Sequence, residues 1–399
     1  MEEKKENEEE EAGVLLDLYA AAAVLMDGYT GRILYEKNAD QVLPMASTTK
    51  IMTCIVALEN GNPDEMVEVS AYAASMPDVQ LGMNRGEKYR LGDLLLSLML
   101  ESHNDSAAAI AEYIGAVKVR SGDSKEQLPE ASLRTTEESR SLVKVFAGMM
   151  NEKAGEIGCG HTYFITPNGL DDAEEVKDGN GKSEERVHST TAADLALIMR
   201  YCLSESVKSD DFVKITQTRE ASFTDADGKH SFSCVNHNRY LDMKEGAVSG
   251  KTGFTGKAGY CYVGAVNRDD VFLIVSLLAC GWPPSRNLKW QDMNTLIDYG
   301  LEHYSCVQVN VSPGESGSYL LDEVPGKGVK MVKVQTEILT EPFCLLLKEG
   351  EKVTGNWYLE PAAAAEMGAT VGAYRITVGD TVCGSFPIVI GSRQVWNGK

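Results

Sequence analysis

The chain has 399 residues, 43% of them hydrophobic and 24% charged, the balance of a soluble globular protein long enough for one large domain and one small one. Its formal charge of −21 excludes a nucleic-acid-binding role, which needs a basic face. No apolar run is long enough to cross a bilayer as a helix, and nine Cys without a C-x-x-C pair exclude a zinc ribbon or a disulfide scaffold.

Seven of the first eleven residues are Glu, so residues 1–13 read as a disordered acidic tail. Ala21 to Asp27 reads as a strand, Gly28 to Arg32 as its turn and Ile33 to Glu36 as the returning strand. Pro44 breaks the chain before Ser47, and from there Ile51, Cys54, Ile55 and Leu58 have helical spacing up to Gly61-Asn62-Pro63. Leu91 to Leu100 is a second buried helix, with Ser102-His103-Asn104 at its junction with Asp105 to Ile114. Val117 to Thr136 and Ala173 to Arg186 are polar and read as surface loops, and Ala192 to Leu203 is helical. Gly259 to Val266 and Val271 to Ala279 form a hairpin of central strands, and Asn287 to His303 is a closing helix. After Ser305 alternating runs punctuated by Gly and Pro predict a small all-β module over 305–399. Cys54, Cys261, Cys280 and Cys344 lie in apolar stretches and read as buried free thiols.

Three motifs stand in order: Ser47-Thr48-Thr49-Lys50, Ser102-His103-Asn104 and Lys251-Thr252-Gly253. Each alone is weak, since a second S-x-x-K occurs at Ser141 to Lys144 and a second S-x-N at Ser285 to Asn287. Order and spacing carry the signal: Ser102 lies 55 residues after Ser47, Lys251 lies 147 after Asn104, and K-T-G occurs once. A serine hydroxyl needs a base before it can attack a carbonyl. Lys50, one helical turn from Ser47, can serve if burial and a second cation, Lys251, disfavour its ammonium form. A helix N-terminus at Ser47 would place partial positive charge where an oxyanion develops. Ser102 can relay a proton to a leaving amine, Asn104 can hold Lys50 or a substrate amide, and Lys251 with Thr252 suits a substrate carboxylate. The six His form no H-E-x-x-H and no cluster at ligand spacing, so no metal site is expected. His161 and Asn168-Gly169 read as loop structure, and the four Trp as core or interface residues.

Over Ala21 to His303 the chain resembles the serine-type D-alanyl-D-alanine carboxypeptidases, the low-molecular-weight penicillin-binding proteins. Leu43 to Lys50 (LPMASTTK) looks like the nucleophile segment of that family, and Leu98 to Ala107 (LMLESHNDSA) resembles its second motif. His161 to Asp172 (HTYFITPNGLDD), Ser189 to Tyr201 and Lys251 to Tyr262 match further family stretches. The resemblance implies an α+β fold: a transpeptidase-like domain over 14–304, with an antiparallel sheet flanked by helices and a helical subdomain, then an all-β C-terminal domain. It puts the nucleophile at Ser47, the base at Lys50, the relay pair at Ser102 and Asn104, and the third-motif lysine at Lys251. It also implies substrate binding by Thr252 and Gly253, and an oxyanion hole from the backbone N–H groups of Ser47 and Phe254. Where the family has an arginine gripping the substrate carboxylate, ten residues before a Tyr-Gly, this chain has Lys289, a point charge in place of a fork.

The implied substrate is a peptidoglycan stem peptide ending in D-Ala-D-Ala, with β-lactams as covalent inhibitors and no cofactor. The implied location is extracytoplasmic, at the wall or membrane surface. The N-terminus lacks a secretory pattern and no amphipathic anchoring helix follows Trp396, so a leader and a peripheral membrane segment are expected outside this chain. Two alternatives differ in class: a penicillin-binding sensor or wall-binding protein with vestigial hydrolysis, and a β-lactamase. No E-x-x-L-N supports the latter, and the β module is foreign to it.

Overall fold

A computed structural model describes residues 15–122, 128–177, 181–309, 318–322, 331–338, 343–359 and 368–395. The acidic tail and Trp396 lie outside these residues. Contacts group the chain into two compact units, one of residues 1–25, 35–266 and 274–299, the other of 26–34, 267–273 and 300–399.

A five-stranded sheet runs in the order Ile33–Lys37, Ala22–Asp27, Val271–Leu278, Gly259–Arg268, Ala247–Thr255. Every residue of the central strands Ala22–Asp27 and Val271–Leu278 is buried, and apart from Asp27 and Ser276 all are apolar, which is why they read as apolar runs rather than alternating ones. The K-T-G strand, Ala247–Thr255, is the edge strand, paired antiparallel to Gly259–Arg268 with Lys251 opposite Val263 and Gly253 opposite Cys261.

The helix Lys50–Asn60 is buried from Lys50 through Leu58, hydrophobic on all sides, and so sits in the core rather than at a surface. Helices Leu91–Leu100 and Asn104–Ser121 follow one another with only Glu101, Ser102 and His103 between them. Helix Thr136–Ile157 starts in a capping box, Thr135 with Glu138, and stops at Gly158 in the left-handed conformation.

Two segments expected to be loops are ordered. The helix through Asn104 continues to Ser121, past Val117, and Ala173–Lys177 pairs with Ser183–Val187 as a hairpin. Seven of its ten strand residues are polar and none is buried, so no apolar alternation marks it.

In the second unit, Tyr304–Val309 pairs with Phe343–Lys348, and five further strands form a sheet in the order Ser318–Asp322, Met331–Ile338, Thr381–Val395, Thr370–Val378, Val353–Leu359. Small apolar clusters hold it, Ile338 with Val371, Ile388 and Ile390, and Leu345 with Val378 and Cys383. Arg32 forms a bidentate pair with Glu351 (2.7 and 2.9 Å) and also donates to the Leu346 carbonyl, while Asp27 accepts from Leu346 N at 3.1 Å.

The expectation for Cys344 is overturned: it is joined to Cys306, with Cα atoms 5.8 Å apart. The register places Cys306 opposite Leu346 and Cys344 opposite Gln308, so the two thiols meet on a diagonal between adjacent strands. The other seven cysteines are free and buried.

Candidate active site

Ser47 lies in a 3-10 turn, Ala46–Thr49, that runs directly into helix Lys50–Asn60. The Thr48 and Thr49 hydroxyls donate back to the carbonyls of Met45 and Ala46 at 2.6 and 2.8 Å, closing the turn. Lys50 therefore starts the helix, and its Nζ sits 3.0 Å from Ser47 Oγ.

Lys50 is fully buried, and its amine faces three oxygens: Ser47 Oγ, Asn104 Oδ1 at 2.9 Å and the Asn168 carbonyl at 2.6 Å. Burial, and then the charge of Lys251, hold Lys50 well below the usual lysine range against an opposing pull from Asp105. A neutral amine has two N–H groups and one lone pair. The Asn104 and Asn168 oxygens can only accept, so in the neutral form they would take both N–H groups and leave the lone pair for the Ser47 hydroxyl, which lies 3.4 Å from the same Asn168 carbonyl. The Asn104 amide nitrogen donates to the carbonyls of Pro77 and Asp78, both at 3.1 Å, which turns its oxygen toward Lys50.

Ser102 joins the two helices with φ 72°, a left-handed conformation that costs a non-glycine residue free energy. Its neighbours hold it there. Glu101 accepts from Val235 N at 2.8 Å, the His103 ring bonds Ser97 Oγ at 2.8 Å, and Lys251 Nζ donates to Ser102 Oγ at 3.0 Å. Lys251 is buried, which pushes it down to about 7, and it also donates to the Thr252 carbonyl. Both lysines of the site thus lie far from their solution behaviour.

Two glycines permit the assembly. A Cβ on Gly253 would stand 2.9 Å from Ser47 N, so the edge strand can approach the nucleophile turn only without a side chain. Gly169, at φ 85°, brings the Asn168 carbonyl in, and a Cβ there would meet the Ala46 oxygen at 1.9 Å.

Ser47, Ser102, Thr252, Gly253, Phe254 and Lys289 line one cavity of about 400 Å³. Lys289 Nζ donates to the Arg286 carbonyl at 2.6 Å and lies 4.8 Å above the rings of both Tyr260 and Trp290, with burial lowering its pKa. The structure adds two cations at this cavity that sequence reasoning did not single out, Arg239 and Arg286. A larger hollow of about 650 Å³, lined by Tyr72, Arg140 and Asp172 among others, contains none of Ser47, Lys50, Ser102 or Lys251 in its wall.

Three further residues escaped the sequence reading. The Asn168 carbonyl bears directly on Lys50, although the Asn168-Gly169 pair read as plain loop. Asp105 accepts from the backbone N–H groups of Leu81, Gly82 and Met83 (2.9, 2.9 and 3.3 Å), pinning the segment beside Asn104. His188 Nδ1 accepts from Ile165 N and Thr166 N, its Nε2 bonds Thr49 Oγ1 at 2.8 Å, and burial drives its pKa down to about 3. It ties the Asn168 loop to the nucleophile turn. The competing S-x-x-K, Ser141 to Lys144, is exposed on helix Thr136–Ile157, where Lys144 pairs with Glu174.

The profile of the peptidase S11 family, D-alanyl-D-alanine carboxypeptidase, matches residues 5–119 and 139–280. The chain is similar to the D-alanyl-D-alanine carboxypeptidase DacF of Bacillus subtilis, 28% identical over 337 residues, covering 83% of this chain and 73% of that protein. Among solved structures, a variant of Streptomyces K15 DD-transpeptidase superposes with TM-score 0.56 at 27% identity, over 72% of this chain and all of that one (100%). Penicillin-binding protein 5 of Haemophilus influenzae matches in fold across both units, TM-score 0.67 at 21% identity, over 95% of this chain and 99% of that one. The chain belongs to the D-alanyl-D-alanine carboxypeptidase family and is a serine hydrolase of the penicillin-binding type.

Proposed function

We propose that this family member removes the terminal D-alanine from peptidoglycan stem peptides ending in D-Ala-D-Ala, through an acyl-enzyme on Ser47. The observation that carries the reading is the buried Lys50 amine, 3.0 Å from Ser47 Oγ with its other neighbours both carbonyl oxygens. Neutral Lys50 takes the Ser47 proton as Oγ attacks the penultimate D-Ala carbonyl, and the oxyanion forms at the backbone N–H groups of Ser47 and Phe254. Ser102, bonded to Lys251, passes its proton to the departing amine and is reprotonated by the Lys50 ammonium; water then gives a proton to the regenerated Lys50 amine as it attacks the acyl carbon, and that proton returns to Ser47 as the shortened peptide leaves. Among the described residues no strand pairs with the outer side of the edge strand through Thr252 and Gly253, which suits it to pairing with an extended peptide. Lys289, with Arg286 and Arg239, supplies the positive charge for the free terminal carboxylate.

The reaction belongs outside the cytoplasm, where its substrate lies. Residues 305–399 are proposed to present residues 14–304 to the wall. A chain ended at His303 would retain every site residue but strip Arg32 of Glu351, so its test is acylation at low temperature, where the loss of stability is tolerated.

Intact mass spectrometry after benzylpenicillin treatment tests the reading. One adduct on the peptide containing Ser47, none in Ser47→Ala, and release of D-alanine from an acyl-D-Ala-D-Ala peptide are expected. An adduct without D-alanine release would favour a penicillin-binding sensor, and labelling at Ser141 would overturn the site.

A further inference from the structure

The loop that carries Ser102 borders a second cluster of reactive groups. Glu101, His103 and Cys234 offer a carboxylate oxygen, an imidazole nitrogen and a thiol sulfur that all lie within 4.8 Å of one another. Cys234 and His103 are buried, Glu101 half-buried. Linear spacing concealed this group, because Cys234 comes from the hairpin strand Ser231–Val235, far along the chain from Glu101 and His103.

We propose that Glu101, His103 and Cys234 form a binding site for a divalent transition-metal ion of the zinc class. Zinc takes thiolate, imidazole and carboxylate ligands together, whereas calcium and magnesium favour oxygen alone. The donor set is aimed and supported as such a site requires. His103 Nδ1 is held by Ser97 Oγ at 2.8 Å, which in turn bonds Ser106 Oγ at 2.8 Å, leaving Nε2 to face the cluster. Glu101 spends one oxygen on Val235 N at 2.8 Å, next to Cys234, and turns the other toward His103 Nε2 at 3.3 Å.

A tetrahedral zinc ion with ordinary bond lengths separates its oxygen and nitrogen ligands by roughly 3.3 Å, so this pair already has the required spacing. The Cys234 sulfur lies within 4.8 Å of both, against the roughly 3.6 Å that a tetrahedral ion sets between sulfur and nitrogen. Coordination converts the Cys234 thiol to thiolate, its proton passing to solvent. Glu101 also lines the 400 Å³ cavity, which gives the ion an entry path and leaves its fourth position for water. Because Glu101 and His103 flank Ser102, an ion here would clamp both neighbours of the proposed proton relay.

The test is titration of the chelator-treated full-length protein with Co²⁺, followed by competition with Zn²⁺. Wild type should bind one Co²⁺ with a near-ultraviolet thiolate-to-cobalt charge-transfer band, which Zn²⁺ abolishes. Cys234→Ser should lose the band, and Cys383→Ser, in the other unit, should keep it. Glu101→Gln should retain the thiolate band while weakening Co²⁺ binding about tenfold or more, a readout that does not depend on the cysteine variant folding. Absence of the band in wild type, its persistence in a folded Cys234→Ser, or unchanged affinity in Glu101→Gln would each overturn the site.

Discussion

The carbonyl oxygen of Asn168 stands 2.6 Å from Lys50 Nζ, closer than Ser47 Oγ at 3.0 Å. A backbone group from a distant loop thus fixes which way the amine can point. With Asn104 Oδ1 it engages two of the amine's hydrogens, and the proposed reaction needs the position that remains, toward Ser47, to be the lone pair of a neutral amine.

Acylation by a β-lactam should therefore rise with pH through an apparent pKa well below the ordinary lysine value of about 10.4. Lys50→Arg should slow it about 10²-fold or more at unchanged fold. Asp105 pulls the Lys50 pKa upward, so Asp105→Asn removes an attraction for the ammonium and should move the acidic limb to lower pH. Stopped-flow acylation across pH checks both; a limb that stays in place would detach Asp105 from the titration of Lys50.

Gly169→Ala should cost about 10²-fold in acylation, the scale of a misplacement near an ångström in a reacting site. The new methyl would collide with the Ala46 carbonyl and draw the Asn168 oxygen off Lys50. Gly160→Ala, where a Cβ meets nothing within 4 Å, is the control and should acylate normally. Equal rates in the two variants would remove the Asn168 carbonyl from the mechanism.

Carboxylate recognition should rest mainly on the buried cation. Lys289→Ala should lower kcat/KM for a D-Ala-D-Ala peptide about 10- to 150-fold, a loss of ~1.5–3 kcal/mol. Its preference over the C-terminally amidated peptide should fall in parallel. Arg286 and Arg239 are solvent-exposed, so their alanine variants should each lose less than about fivefold. A larger loss at Arg286 would transfer the grip to a guanidinium.

His188 gives stability a pH dependence with a definite sign. Its folded pKa of about 3 lies below the ordinary 6.5, so between these values the unfolded chain binds a proton that the folded chain refuses. Stability is unaffected by this group above pH 6.5, declines as pH falls through the window, and levels off below about 3. His188→Gln, measured by urea unfolding, should flatten the change between pH 6.5 and 4 by about 3 kcal/mol, whatever its cost at neutral pH. A slope equal to wild type would place the titration elsewhere.

Much of this molecule was legible before any coordinates. The helices at Lys50 and Leu91 and the central strands showed as apolar runs, because burial demands apolar side chains wherever an element is enclosed. The polar hairpin Ala173–Lys177 with Ser183–Val187 did not show, since its residues face solvent and their composition matches a loop. Cys306 and Cys344 could not be paired by inspection, because their approach depends on a strand register.

By itself the sequence determined the family, the order of the three motifs, and which serines and lysines those motifs carry. Those depend on side-chain chemistry, which the letters state directly. Only the tertiary structure decided how Lys50 is aimed, that Asp105 pins the segment at Leu81, that His188 links the Asn168 loop to the Ser47 turn, and that Cys234 meets Glu101 and His103. Backbone carbonyls and N–H groups are the same at nearly every residue and carry no letter of their own. Which of them reaches a given side chain is settled by how distant segments close on one another in space.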